Sequence, residues 1–128
     1  MSSISKTYEI KAPIEKVWDA LTNPETINKW GAGPNVKMSE EVGSEFELWD
    51  KTIWGTNTEV IPNKKLVQDW FGGKWDKPSI VTFELSEKDG ITTVELTNTD
   101  MPDHEKEDFA KGWDEEYMNP LKKLVESE

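Results

Sequence analysis

The order of hydrophobic and polar residues divides the chain into a strand, two short helices, a run of strands and a final helix. From Ile4 to Ile10 apolar and polar side chains alternate, which is the period of a strand buried on one face. Pro13 opens a helical pattern that continues to Leu21, and Pro24 opens a second, shorter one. The first quarter of the chain therefore predicts one strand followed by two helices.

The middle of the chain, residues 35–99, has the pattern of strands and turns throughout. Apolar and polar positions alternate between turn sequences such as Val42-Gly43, Pro62-Asn63 and Asp89-Gly90. Six strands are predicted there, at residues 36–41, 44–50, 52–61, 65–71, 79–86 and 91–98. With the first strand, this makes about seven antiparallel strands.

The last segment changes to a period of three to four residues after Pro102, which predicts a long amphipathic helix. Its apolar side consists of Phe109, Trp113, Tyr117, Leu121, Leu124 and Val125. Gly112 and Pro120 lie inside this pattern. We therefore expect a close approach of another segment near Gly112 and a kink before Pro120.

This order of elements predicts an α+β protein with a helix-grip fold. In such a fold a curved antiparallel sheet of about seven strands wraps around one long C-terminal helix, with two short helices after strand 1. At 128 residues the chain has a common size for one domain, so a single domain over residues 1–128 is expected.

Composition and charge narrow the range of functions. The chain has no cysteine, which excludes thiolate catalysis, thiolate zinc sites and iron–sulfur clusters, and we expect no metal and no other cofactor. It carries 26 acidic and 15 basic residues, a net charge of −11, and every basic residue is lysine. Phosphate backbones and anionic lipid repel such a chain, so nucleic acid is not expected as a partner.

The expected location is the cytoplasm. The N-terminal residues lack the basic stretch and apolar run of a secretory signal, and no later segment has the length and apolarity for membrane insertion.

Three stretches resemble a known superfamily. They are residues 12–25, Val67-Gln68-Asp69-Trp70 in the central strands, and Gly112-Trp113 followed by Tyr117 in the last helix. Together they resemble the START/Bet v 1-like superfamily, specifically its Hsp90-ATPase-activator-homologue-type domains. The resemblance implies the helix-grip fold over essentially the whole chain. It leaves function open, because the superfamily includes lipid carriers, hormone binders, polyketide cyclases and aromatases, and the C-terminal domain of an Hsp90 co-chaperone.

Seven tryptophans supply most of the candidate binding residues. Large aromatic side chains are enriched both in cores and at binding sites, so the same rings can be core filler or ligand wall. The predicted pocket lining is Trp54, Trp70, Phe83, Phe109, Trp113 and Tyr117, and the predicted pocket mouth is Trp30 and Trp75.

No catalytic set is recognisable. His104 is the sole histidine and lies in a polar stretch that predicts a surface position. Glu84 and Asp69 are the other titratable candidates, and Glu84 is expected to face outward because it alternates with Phe83 and Leu85.

Three functions stay open. The first is noncatalytic binding of a small hydrophobic molecule, and the second is a module that associates with an Hsp90-type chaperone. The third is a cyclase- or aromatase-like enzyme, which needs a titratable group in the pocket.

Overall fold

One six-stranded antiparallel sheet forms the centre of the computed structural model, which describes residues 2–73 and 75–127. The strand order across the sheet is β1-β6-β5-β4-β3-β2, so β1 and β2 are its two edges. The strands are β1 (Ser2–Ile10), β2 (Glu45–Leu48), β3 (Ile53–Ile61), β4 (Lys65–Gly72), β5 (Ser79–Lys88) and β6 (Ile91–Met101).

Two short helices follow β1, as the sequence predicts: α1 (Ile14–Thr22) and α2 (Pro24–Ile27). The side-chain oxygen of Asn23 accepts a 3.0 Å hydrogen bond from the Glu25 N–H and so caps α2. A π-type turn, Asn28–Ala32, continues α2.

The C-terminal helix covers the concave face of the sheet and has three parts. After a 3₁₀ turn (Asp103–Glu105) come α3 (Lys106–Gly112), a π-type turn (Trp113–Met118) and α4 (Asn119–Glu126). We expected a kink before Pro120, and the structure has this widened turn there. Proline has no N–H to donate to the carbonyl four residues earlier, which favours such a local change in the helix.

The strand predicted at residues 36–41 is absent from the sheet, so the prediction of about seven strands was one too high. Lys37 pairs with Glu47 through two 3.0 Å backbone hydrogen bonds, and this isolated bridge does not extend into a ladder. Beyond it the carbonyls of Ser39 and Glu41 accept hydrogen bonds from the Asn57 side chain, at 2.9 and 3.3 Å. A side chain has thus replaced the neighbouring strand as the partner of these backbone groups.

The core lies between the inner face of the sheet and the C-terminal helix. On β4, Leu66, Gln68 and Trp70 point inward and are buried. Phe83 and Leu96 face the same core from β5 and β6.

Trp54 lies on the outer face of β3, so its prediction as pocket lining was wrong. The inward positions of β3 are Ile53, Gly55 and Asn57, while Trp54 stacks on Phe71 of β4 with ring centroids 6.1 Å apart. A side chain at Gly55 would collide with the backbone carbonyl of Asp69, which explains why a glycine occupies this inward position.

Gly112 does not mark a close approach, contrary to expectation. A Cβ atom added there would meet no atom within 4 Å, since the position borders an open cleft. Within residues 2–73 and 75–127, no helix combines the length and apolarity needed to cross a membrane.

Candidate functional site

A cleft of about 630 Å³ opens between the C-terminal helix and the turn that joins β2 to β3. Its floor and walls are largely aromatic, and its helix side carries charged residues at the rim. The lining residues are Trp49, Thr52, Ile53, Trp70, Asp108, Phe109, Lys111, Gly112, Trp113, Glu115, Glu116 and Tyr117. Four of the predicted lining residues are therefore brought together here: Trp70, Phe109, Trp113 and Tyr117.

The floor of the cleft is a cluster of rings packed on one another. The centroids of Trp70 and Trp113 lie 4.8 Å apart, and those of Trp113 and Tyr117 lie 4.9 Å apart. Phe83, also predicted to line a pocket, packs beneath Trp113 and Tyr117 at 5.8 and 5.7 Å. All four rings are at most 2% exposed, so these aromatic side chains fill the space between helix and sheet and leave the cleft above them.

Buried amides hold the two central indoles in place. The Trp113 Nε1–H donates to Asn98 Oδ1 at 3.1 Å, and the Trp70 Nε1–H donates to Gln68 Oε1 at 2.8 Å. Gln68 in turn donates to Asn57 Oδ1 at 2.9 Å. Because a buried indole N–H needs an acceptor, these bonds fix the orientation of both rings.

The Tyr117 hydroxyl differs from the indoles. It is wholly buried, and it has no hydrogen-bond partner among the residues that the structure describes. Burial raises the pKa of Tyr117 well above its ordinary value, so the hydroxyl keeps its proton at neutral pH.

Trp49 is a cleft residue that the sequence did not reveal. It is half-buried and packs edge-on against the Tyr117 ring at 6.2 Å. Trp49, Asp50 and Lys51 have successive φ angles of 50°, 53° and 65°, a left-handed turn that is rare for residues other than glycine. The only signal in the sequence was a tryptophan followed by two charged residues, which we assigned to a strand and its turn.

A second cleft of about 540 Å³ adjoins the first and shares Thr52, Ile53 and Phe109 with it. Trp75 lines this second cleft, and its ring centroid lies 5.2 Å from that of Phe109. Both side chains are half-buried.

Trp30 was predicted to lie at the pocket mouth, but the structure places it in the core. It is 5% exposed, its Nε1–H donates to the Ala20 carbonyl at 2.8 Å, and its ring packs on Tyr117 at 4.7 Å. The π-type turn, in which Gly31 has a φ of 124°, ends the helix here while Trp30 stays on its buried side.

The titratable candidates lie away from the aromatic floor. Glu84 is exposed, as expected, and Asp69 is half-buried on the outer face of β4. The His104 side chain is 81% exposed at the edge of the second cleft. None of these three residues could therefore act as an acid or base at the floor of the cleft, as a cyclase-like reaction would need. Within the described ranges, no group of three or more candidate metal ligands occurs.

A charged cluster joins the helix to the edge strand on the far side from the cleft. Asp114 accepts hydrogen bonds from Lys6 Nζ at 2.8 Å and from the Tyr8 hydroxyl at 2.7 Å. The bonds from Lys6 and Tyr8 hold the pKa of Asp114 below its ordinary value. Burial, together with the hydrogen bond to Asp114, raises the pKa of Tyr8.

Comparison with known proteins shows similarity to activators of the Hsp90 ATPase. The family model described as Activator of Hsp90 ATPase homolog 1-like protein matches residues 11–126. The Activator of 90 kDa heat shock protein ATPase homolog of Dictyostelium discoideum is 31% identical over 128 residues, which cover 92% of this chain and 32% of that protein. Homolog 2 of Mus musculus is 25% identical over 88% of this chain and 34% of its own length.

The chain spans about a third of the length of these curated relatives. Among solved structures, an HSP90 activator from Plasmodium falciparum superposes with a TM-score of 0.88 at 26% identity, covering 98% of this chain and 96% of that one.

Proposed function

This chain belongs to the family described as Activator of Hsp90 ATPase homolog 1-like protein, and from that premise we propose that it is a noncatalytic binding domain for a small hydrophobic molecule. The observation that carries the proposal is the 630 Å³ cleft above the aromatic floor. Its volume falls within the range typical of small-molecule sites. Its floor is aromatic, and its charged residues, Asp108, Lys111, Glu115 and Glu116, stand at the rim.

Proton–nitrogen NMR titration with fatty acids, sterols and flat aromatic compounds tests this function. We expect saturable shifts at the cleft residues Ile53, Phe109 and Gly112, and little change at the side-chain indole N–H of Trp54, which lies on the outer face of the sheet. Replacing Phe109 by alanine should weaken binding, while the matched Trp54→Ala change should not. Absence of any saturable shift would refute small-ligand binding.

Association with an Hsp90-type chaperone is a second candidate function. It is favoured by the likeness to the Plasmodium falciparum protein, which is described as an HSP90 activator and is covered almost completely by this one fold. The net charge of −11 also suits a partner with basic patches.

Pull-down and ATPase assays with a purified Hsp90 test this second function. Binding that weakens as salt rises is expected, because charged association is screened. No binding at low salt, where charged association is strongest, would rule it out.

A further inference from the structure

We propose that the ligand of the cleft carries a hydrogen-bond acceptor oxygen, bound by the Tyr117 hydroxyl, and that it is neutral or cationic rather than a carboxylate. This inference rests on the ligand-binding function proposed above. It adds the chemical class of the ligand and names the residue that recognises it.

The first argument is the unpaired state of the Tyr117 hydroxyl. Leaving a buried hydroxyl without a partner costs roughly 1–3 kcal/mol, so proteins seldom do so without a reason. Tyr117 lines the cleft, and its hydroxyl finds no acceptor among residues 2–73 and 75–127. Ser79 carries the other buried side-chain oxygen without a partner in that part of the chain, but it does not line the cleft.

The ligand oxygen supplies an acceptor, because the unpaired O–H of Tyr117 needs a lone pair to which it can donate. Burial raises the pKa of Tyr117, which keeps the hydroxyl protonated and able to donate. A carbonyl or ether oxygen would satisfy it, whereas a pure hydrocarbon would leave it unpaired.

Of the rings that pack on Tyr117 in the described part of the chain, that of Trp49 is the most exposed. Its ring lies edge-on to Tyr117 and is half-buried, whereas Trp70, Trp113 and Tyr117 are at most 2% exposed. It also sits on the left-handed turn, whose backbone stores strain of the kind found at ligand clamps. Of the rings over Tyr117, the Trp49 side chain is therefore the one that a ligand can displace.

The rim of the cleft sets the charge of the ligand. Among residues 2–73 and 75–127, Asp108, Glu115 and Glu116 stand there with Lys111 as the one cation of the lining. The chain as a whole is strongly acidic. A carboxylate that entered the cleft would be repelled by the majority of these charges and would lose water at an apolar floor.

Four probes of nearly equal shape test both parts of the inference: tetralin, α-tetralone, aminotetralin and tetralin carboxylate. In NMR titrations of the full chain, α-tetralone should bind roughly 2- to 12-fold more tightly than tetralin, the range that one hydrogen bond gives. Aminotetralin should bind at least as tightly as tetralin. The carboxylate should bind more weakly at low salt, and added salt should narrow the difference.

Two tyrosine variants separate the effect of the Tyr117 hydroxyl on binding from the effect of the shape of the cleft. Tyr117→Phe should abolish the preference for α-tetralone without lowering the urea midpoint, because it removes an unpaired group. Tyr8→Phe is the matched control, since the Tyr8 hydroxyl is paired with Asp114 away from the cleft. It should keep the preference.

Each outcome is decisive. If α-tetralone and tetralin bind equally, or if Tyr117→Phe keeps the preference, the role of the hydroxyl is refuted while the ligand-binding function stands. Carboxylate binding as tight as that of tetralin at low salt would refute the charge class. If none of the four probes, nor any ligand of the wider panel, binds, the proposed function itself fails.

Discussion

At the scale of single residues, Trp113 joins the helix to the sheet. It contacts Trp70, Phe83 and Tyr117, and its N–H is paired with Asn98. Replacing it by alanine should lower the free energy of unfolding by about 3–5 kcal/mol, the usual loss for a large buried ring.

Urea denaturation measures this loss. Trp54→Ala is the control, because it removes the same side chain at a different position. Trp54 is half-buried on the outer face, so its loss should cost only about 1 kcal/mol. A cost below about 0.5 kcal/mol for Trp113→Ala would contradict its place in the core.

Asp114 should make stability depend on pH. The pKa of Asp114 in the folded state is lowered, chiefly by the hydrogen bond from Lys6. Its ionised carboxylate therefore adds to the free energy of unfolding at pH values above the unfolded pKa of about 3.9. That contribution is lost as pH falls through the lower folded pKa. Wild type and Asp114→Asn should therefore differ most in urea midpoint near pH 7 and converge below about pH 4.

Asp108→Asn serves as the control for this pH effect. Asp108 lies on the same helix but is exposed, and it should change the midpoint little at any pH. A difference between wild type and Asp114→Asn that grows as pH falls would contradict the sign argued here.

At the scale of elements, two glycines should respond in opposite ways to alanine. Gly112 has a helical φ of −62° and open space at its Cβ position, so Gly112→Ala should raise the free energy of unfolding by roughly 0.5–1 kcal/mol. The added methyl group enters the cleft and should weaken ligand binding at the same time. In contrast, Gly55→Ala should be strongly destabilising, because its Cβ collides with the Asp69 carbonyl.

Thermal and urea unfolding of the two variants measure these opposite effects. A stabilising Gly55→Ala change, or a Gly112→Ala change as damaging as that at Gly55, would show that the two environments are not as described.

The spacing of apolar residues in the sequence located most strands and the last helix. This is possible because backbone geometry repeats the side-chain direction every two residues in a strand and every three to four in a helix. It could not assign the faces of β3, where the inward positions Gly55 and Asn57 are not hydrophobic while the outward Trp54 is. The burial of Asn57 depends on its pairing with Gln68 from the next strand, and no local pattern encodes that contact.

The cleft was foreseeable only in part. Trp70, Phe109, Trp113 and Tyr117 follow from the helix period and the central strand. The place of Trp49 depends on three consecutive left-handed residues, and that of Trp30 depends on a π-type turn. Both local conformations depend on tertiary packing, which the secondary-structure propensities of single residues do not report.

At the scale of the whole molecule, the net charge of −11 should make the folded state self-repelling. Glu84 and Glu95 are direct cross-strand partners, which adds a local like-charge pair. Raising NaCl from about 0.02 to about 0.2 M shortens the screening length to below about 10 Å and should raise the urea midpoint.

Glu95→Lys tests the source of this salt effect. The change reduces the net charge from −11 to −9 and places a lysine opposite Glu84. We expect a higher midpoint at low salt and a smaller response to added salt. A wild-type midpoint that falls with salt would mean that attractive ion pairs dominate instead.

The two edges of the sheet also determine how this chain meets copies of itself. An exposed edge strand offers free backbone N–H and C=O groups and can template pairing with another chain. Here β2 has only four residues, and β1 carries the inward lysine Lys6, which Asp114 engages. A short edge and an inward charge are both features that discourage strand addition. We therefore expect the inward lysine of β1 and the shortness of β2 to disfavour edge-to-edge pairing between copies of this chain.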